Sequence, residues 1–452
     1  MCDPHDPHHA HDGHRQHPEP SPQLRPTLTR RGLLAAAGGG LLLAAAGGPR
    51  LPGAVAAPAR PGVGALRSSL VTAGTTLVHA DLHNHSLLSD GAGDPAAAFA
   101  SMRDAGLDVA ALTDHATLSD NAFGDPLTGV LPPEYTQLGG LTPAGWDATG
   151  RLADAADEPG AFTAIRGFEW SEPFLGHVNV WFSRHYTDVL QAMTMTPLHE
   201  WLLRDTDGAA GLVDGGADGL AGFNHPGREQ GRFEEFRYDA RLRDRFVSLE
   251  MFNRRDDFLF EGYADGRPSP LCTCLDNGWR PGLSGVTDEH GTDWGFPEGK
   301  GRTGLWLTEH SRAGVREAMA ARRFFATRVS GLRLDAVLAV DGGRTRMGGV
   351  VPAAGGLATF TVDLARDDDW TGLPLHAQVL RPGGDVPDVV HVHEFRAGTP
   401  TSFAVPLDVA DGDWVVLRIS DPAQPNATPG PEGHPCNDLA VAYASPWWLD
   451  PA

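Results

Sequence analysis

The segment DLHNHSLLSD, Asp81 to Asp90, sets His83 and His85 two residues apart and adds Asp90 five residues further on. Imidazoles and carboxylates in this proportion suit a mixed nitrogen and oxygen site for zinc, manganese or iron. More candidates follow in order: His115 in TDHA, Glu169 in GFEW, His177 in GHVNV, His225 in NHPG, then Asp288 and His290 in TDEH. These nine residues exceed the needs of one ion and suit two or three divalent ions if one carboxylate bridges, for which Glu169 is the expected residue. Each has an ordinary reading too. His83 and His85 could simply share one face of a strand, and Asp114 beside His115 could cap a helix. Glu169 could pair with Arg166, His225 before Pro226 could be a turn residue, and the 288–290 segment could be a cap. Singly these readings compete well; jointly they would all have to hold at the ends of apolar runs.

Those runs are the elements that must position the ligands. TLVHADLH, DVAALTDH, FTAIRGFE, HVNVWF, LAGFNHP, FVSLEMF and GLSGVTDEH are short, nearly continuous apolar stretches, the pattern of buried parallel strands. In six of the seven the His, Asp or Glu stands at or near the carboxyl end, where α/β barrels gather functional groups; His177 is the exception, because it begins its run. Between the first two runs, Asp94 as cap, Pro95 in the first turn and Gly106 at the end predict a helix. TPLHEWLLRD and SRAGVREAMAARRFF are further helical candidates. The expected fold is therefore α/β, a closed or nearly closed barrel of seven strands over residues 76–330. From about residue 331 to 452 the texture changes to short alternating runs split by Gly, Pro and Asp, which predicts a C-terminal antiparallel β domain, a small sandwich. His391 and His393 in VVHVHEF lie there with no carboxylates at matching spacing and read as one face of an ordinary strand.

The chain has 452 residues and a net charge of −22, which disfavours nucleic acid and anionic membranes as partners. A small-molecule substrate is expected; an anionic one would need local cations, which metal ions could supply. At the start stand six histidines in residues 1–20, then Arg30–Arg31, a Gly-rich apolar run and AVAAP. Residues 1–56 resemble a twin-arginine export signal whose apolar run is short for a membrane span, so the expected product is exported, with no stable span after processing. Oligomeric state is left open. Cys272, Cys274 and Cys436 form an odd set beyond that segment, open to one bridge with Cys436 or to a thiolate pair. Neither G-x-S-x-G nor a catalytic cysteine motif occurs, HEWLL at His199 is not H-E-x-x-H, and EGKGRTG is not a phosphate loop. The stretch 205–219 fails as a calcium loop because its sixth and twelfth positions are Ala210 and Gly216.

Taken together, DLHNHSLLSDG, TDHA, GFEW, GHVNV, NHPG, EMFN and TDEH resemble the polymerase-and-histidinol-phosphatase (PHP) metallohydrolases over residues 76–330. The resemblance implies a distorted seven-stranded barrel, two or three metal ions and, for most members, phosphoester hydrolysis. It implies His83, His85, Glu169 and Asp288 on a first ion, Glu169, His177 and His225 on a second, and Asp90, His115 and His290 on a third. Thr287 stands where Ser is usual, and Asp90 where some trinuclear members carry histidine. The YASPWW ending resembles a secreted carbamate (carbaryl-type) hydrolase branch.

The expected chemistry is attack by a metal-bound hydroxide, with Glu169 and Asp288 as the catalytic carboxylates and Asp288 placed to accept a proton. Arg228 in NHPGREQGR and Arg254 after EMFN are candidate substrate-binding cations, unless Glu229, Asp256 and Asp257 pair with the arginines instead. Trp170 and Trp181 could line a pocket, though strand tryptophans usually belong to the core. Phosphoester hydrolysis is the leading expectation. Hydrolysis of a carbamate, amide or carboxylic ester on the same ions is the alternative, and a non-catalytic metal protein binding carbohydrate or cell wall is the rival.

Overall fold

The computed structural model describes residues 67–117, 140–208, 214–295, 301–352 and 356–450; the predicted export segment lies outside the described residues. It is a mixed α/β fold with large sheets. Each apolar run named above between residues 76 and 290 forms a strand: β1 (Thr76–Asp81), β2 (Val109–Leu112) with the two-residue β3 (His115–Ala116), β4 (Thr163–Glu172), β5 (Gly176–Trp181), β6 (Leu220–Phe223), β7 (Phe246–Asn253) with its short partner β8 (Asp256–Asp257), and β9 (Gly282–Val286). All four residues of β2 and all eight of β7 are buried, which is why these strands show no polar alternation.

The ladders β1–β2, β2–β4, β6–β7 and β7–β9 are parallel. The expectation of a parallel set fails at β5, which runs antiparallel to both β4 and β6. The cause is local. Only Pro173, Phe174 and Leu175 separate β4 from β5, a connection that permits a hairpin and not the long crossover that parallel pairing requires. Reversal brings the first residues of β5 to the rim where the other strands end, which removes the apparent exception at His177. Beyond β9 the chain returns to the end of β1: Asp288 N–H donates to His83 O and His85 N–H to Glu289 O, both at 2.9 Å.

The helices follow their caps. In α1 (Pro95–Asp104) the Asp94 side chain accepts from Ala96 N–H, and Gly106 leaves the helix at φ +90°. Unanticipated α2 (Pro143–Ala156) is capped by Thr142 through Gly145 N–H. Next come α3 (Met195–Leu203), the five-residue turn α4 (Arg232–Phe236), α5 (Pro270–Asp276) and α6 (Arg312–Ala320), where Ser311 accepts from Gly314 N–H. In α4, Arg232 through Phe236 all have positive φ, so this is a left-handed turn, held by Phe233 and Phe236 packing on Phe223. No described helix is long and apolar enough to cross a membrane.

The second half is β-rich, as its texture predicts, but the sheet does not stop at residue 330. β10 (Arg302–Leu307) pairs antiparallel with β1, and β11 (Phe324–Thr327) pairs with β10. A four-stranded antiparallel sheet follows, ordered β13-β12-β15-β18, from β12 (Arg333–Val340), β13 (Gly343–Arg346), β15 (Gly356–Ala365) and β18 (Thr401–Leu407). β14 (Val350–Pro352) lies beside β21 (Trp447–Asp450). β16 (Pro374–Arg381), β17 (Asp388–Arg396), β19 (Trp414–Pro425) and β20 (Asp438–Ala444) pair antiparallel, and β20 pairs with β11. His391 and His393 both stack on Phe403, one face of a strand, as read.

Cys272, Cys274 and Cys436 are buried free thiols, so the bridge considered above does not form. Cys272 and Cys274 sit two apart on α5, and the Cys436 thiol donates to Gln378 Oε1 at 3.4 Å.

His199 on α3 lies against Phe246 and Trp279, and burial lowers its pKa from 6.5 to about 4. Between those values the unfolded chain takes up a proton that the folded chain refuses, so stability falls on acidification through this window. Denaturant titrations of His199→Phe near pH 7 and near pH 4.5 are expected to show a smaller acid-induced loss than the parent. Equal losses would acquit His199 as an acid-labile point.

Candidate metal centre

The nine ligand candidates converge on one carboxylate. Glu169, fully buried near the end of β4, has Oε1 at 3.1 Å from His83 Nε2, 3.3 Å from His177 Nδ1 and 3.4 Å from His225 Nε2. Its Oε2 lies 2.6 Å from His115 Nδ1 and 3.5 Å from His85 Nε2. Asp288 Oδ1 stands 3.4 Å from His83 Nε2, 3.2 Å from His85 Nε2 and 3.4 Å from His290 Nδ1. Asp90 Oδ1 meets His115 Nε2 at 3.5 Å and His290 Nε2 at 3.4 Å. Asp90 and His290 are about a quarter exposed while Glu169 is sealed, so the site opens at the Asp90–His290 edge.

Local sequence explains each placement. His83 and His85 follow the end of β1, in the segment that pairs with 288–289. Asp90 is turned back by a bend that Asp114 braces: its carboxylate accepts from Ser86 N–H at 2.7 Å and from the Ser86 and Ser89 hydroxyls. A Cβ at Gly91 would lie 2.6 Å from Ser86 N, so a side chain there would break the bend. Asp114 is therefore no helix cap. Arg166 does not pair with Glu169; it stacks on Trp146 at 4.0 Å and donates to Ser183 O and Arg184 O. His225 and Asp288 hold φ of +26° and +49°, strain of a kind concentrated at functional sites.

The donor set fits cations. His83 Nε2 and His85 Nε2 face each other at 3.0 Å, and His115 Nε2 and His290 Nε2 at 3.4 Å. Buried His85 Nδ1, His177 Nδ1 and His225 Nδ1 make no hydrogen bond, although a carboxylate oxygen lies 3.3 Å from each of the last two. Four groups have ligand atoms close enough to share an ion: His83–His85–Glu169, His115–Glu169–His177, His85–Asp90–His115–His290 and His177–His225–Glu229. They cut across the implied assignment three times, since His85 also falls with the third set, His115 with Glu169 and His177 of the second, and Glu229 joins the second.

Electrostatics tell the same story. Burial opposes ionisation of Glu169, yet His83, His177 and His115 hold its pKa well below the usual carboxylate value; His83 and His85 do the same for Asp288. Burial likewise opposes charge on His83, but Glu169, Asp288 and Glu250 raise its pKa well above 6.5. Against the same burial, Glu229 and Glu169 push His225 up to about 10. Without ions, protons on these imidazoles supply the missing positive charge.

The two candidate substrate arginines border the Asp288 side. Arg228 Nη2 donates to Asp256 at 2.9 Å, and its Nη1 lies 3.4 Å from Asp288 Oδ2, over the Phe258 ring. Exposed Arg254 donates to Asp288 O and lies 3.1 Å from His290 Nδ1. Trp170 and Trp181 are buried: Trp170 donates to Ala192 O and Trp181 to Leu82 O, so neither lines an open pocket. Sequence reasoning passed over Asn224, whose Nδ2 donates to Glu169 Oε1 at 2.6 Å, and Glu250, and read Glu229 as an arginine partner where it faces His225. Asn224 precedes a named histidine in NHPG, and Glu250 opens EMFN; a polar residue inside so apolar a strand was the available signal.

No protein-family model and no curated protein matches the chain. Among solved structures, it is similar to a two-domain protein from Bacteroides vulgatus that contains a predicted PHP-like metal-dependent phosphoesterase. Identity is 16% and TM-score 0.41, over 82% of this chain and 95% of the other. It is also similar to a protein from Bifidobacterium adolescentis named as a metal-dependent phosphoesterase, at 15% identity and TM-score 0.28, over 53% of this chain and 95% of that one. An amidohydrolase from Chromobacterium violaceum with bound sulfate and no metal is similar at 16% identity and TM-score 0.22, over 47% and 87%.

Ions that take these imidazoles must displace their protons. Calorimetry near pH 7 in buffers of different ionisation heat is expected to show proton release on loading, from His83, His115 and His225, whose carboxylate neighbours raise their pKa values. Affinity is expected to climb with pH until His225 is neutral, near its value of about 10. Binding without proton release would contradict this charge balance.

Proposed function

We propose that this chain is an exported, multinuclear metal-dependent hydrolase of PHP type, built on a distorted seven-stranded barrel and acting on a phosphoester. One observation carries the reading: a fully buried carboxylate, Glu169, faces five imidazoles, with Asp288 and Asp90 closing the set. That arrangement is costly as a structural feature and apt for holding two or three ions of zinc, manganese or iron. His83, His85, Glu169 and Asp288 would hold one, Glu169, His177 and His225 a second, and Asp90, His115 and His290 a third. Bound divalent ions lower the pKa of water toward neutrality and polarise a substrate oxygen.

The protein's own groups supply the rest. Asp288, whose Oδ1 faces the imidazoles and whose Oδ2 meets Arg228 and Asn253, would accept the proton released during attack. Arg228, beside Asp288, and Arg254, beside His290, would orient a small-molecule substrate. Their existing partners favour a second reading. Arg228 is engaged by Asp256 and Asp288, and Arg254 by the Asp288 carbonyl. A substrate without a phosphate's charge, such as a carbamate, amide or carboxylic ester, would leave those pairs intact.

Nitrophenyl phosphate, a phosphodiester, a carboxylic ester and an aryl carbamate, each tested with and without chelator beside metal analysis, distinguish these readings. Two or more ions per chain and chelator-sensitive turnover of a phosphoester are expected. Turnover confined to the ester or carbamate would select the second reading, while tight metal binding with no turnover would point to a non-catalytic protein. Glu169→Gln is expected to lose ions and to lower turnover by on the order of 10²–10³-fold, the scale of deleting one strong electrostatic contact to the reacting oxygen.

A further inference from the structure

Glu250 stands outside every ligand group, yet it touches two of them. It lies near the middle of β7 and is 2% exposed. The β7–β9 ladder slips between Glu250 and Phe252, a bulge of the kind that re-aims a side chain beside a site. Glu250 Oε1 lies 2.8 Å from His83 Nδ1. Its Oε2 accepts from the His225 main-chain N–H at 2.6 Å and from Asn253 Nδ2 at 3.0 Å. The same Asn253 amide reaches Asp288 Oδ2 at 3.3 Å.

We propose that Glu250 is a positioning residue for two ions at once, fixing the ring of His83 through Nδ1 and the backbone of His225 through its N–H. The proposal rests on the metal-centre reading above. With Nδ1–H given to Glu250, His83 keeps its proton off Nε2, the nitrogen that faces Glu169 and Asp288 and must bind an ion. His225 sits at φ +26°, a conformation that needs an anchor, and the bond to Oε2 supplies one. A carboxylate accepts in both directions; an amide cannot. In Glu250→Gln, if the amide oxygen accepts from His225 and Asn253, the amide N–H must donate to His83 Nδ1. That puts the ring proton on Nε2, the wrong nitrogen. If the amide is flipped, its N–H opposes the His225 N–H instead.

The test is metal titration of parent and Glu250→Gln, starting from metal-free protein, with thermal melting of both metal-free forms. The expected result is 10–100-fold weaker binding of two ions, the usual range for an outer-shell partner, with little change in metal-free melting. Unchanged affinity in the variant, or loss confined to one ion, overturns the proposal while leaving the metal centre standing. A parent that binds no metal overturns both. If the variant fails to fold, the zinc-loaded parent with ¹⁵N-labelled histidine decides. His83 should show a protonated Nδ1 and a zinc-bound Nε2, and zinc on Nδ1 would overturn the assignment.

Discussion

A carboxylate taken wholly out of water must find positive charge, and Glu169 faces five imidazoles carried by four different segments of chain. Much of the architecture serves that requirement. The segment beyond β1 brings His83 and His85, the end of β2 brings His115, and the end of β6 brings His225. The reversed β5 brings His177 from its first turn of chain, because the β4–β5 hairpin leaves it no other direction. With two ions or more, their charge replaces the protons that His83, His115 and His225 otherwise hold; without them, the cluster is a pH-sensitive ion network.

Around the candidate ligands stands a layer of buried polar groups whose work is geometric. Asp81 accepts from the Thr287 N–H at 3.1 Å and from its hydroxyl at 2.5 Å, seating the segment that carries Asp288 and His290. Asp114 seats the bend that carries Asp90, and Asn224 steadies Glu169 itself. Left-handed backbone at His225 and Asp288 shows what such seating has to overcome, on the order of 1–3 kcal/mol at each residue.

The clustered imidazoles and carboxylates and the strands that carry them were legible in the sequence for one reason. In a buried strand of VAAL or FVSL type, an acidic or imidazole side chain at the end is conspicuous, and the run itself marks the strand. The supporting carboxylates were less visible. Glu250 sits inside EMFN, where nothing in the spacing distinguishes a hydrogen-bond acceptor from a ligand, and Glu229 resembles a partner for the neighbouring arginine. The direction of β5 was readable only from the brevity of the connection before it. Helix α2 escaped because PAGWDATGRLADAA is rich in Gly, Ala and Asp and carries too few large apolar residues to show a 3.6-residue period. The change of texture near residue 331 marked β-rich chain correctly, but local patterning says nothing about which strand a later strand will choose as neighbour.

That choice has a consequence. β20 zips onto β11, and from β20 the Tyr443 hydroxyl donates at 2.9 Å to Asp257, next to the Asp256 that holds Arg228. Behind it, the fully buried Arg418 donates to Tyr443 Oη at 3.1 Å. A chain cut after β11 would present that strand's bare amide edge to any other unpaired strand, inviting self-association. The chain beyond β11 thus covers a strand edge that would otherwise stand open. Gene-level shuffling that separates the two halves would have to invent a new cover before it could keep the old chemistry.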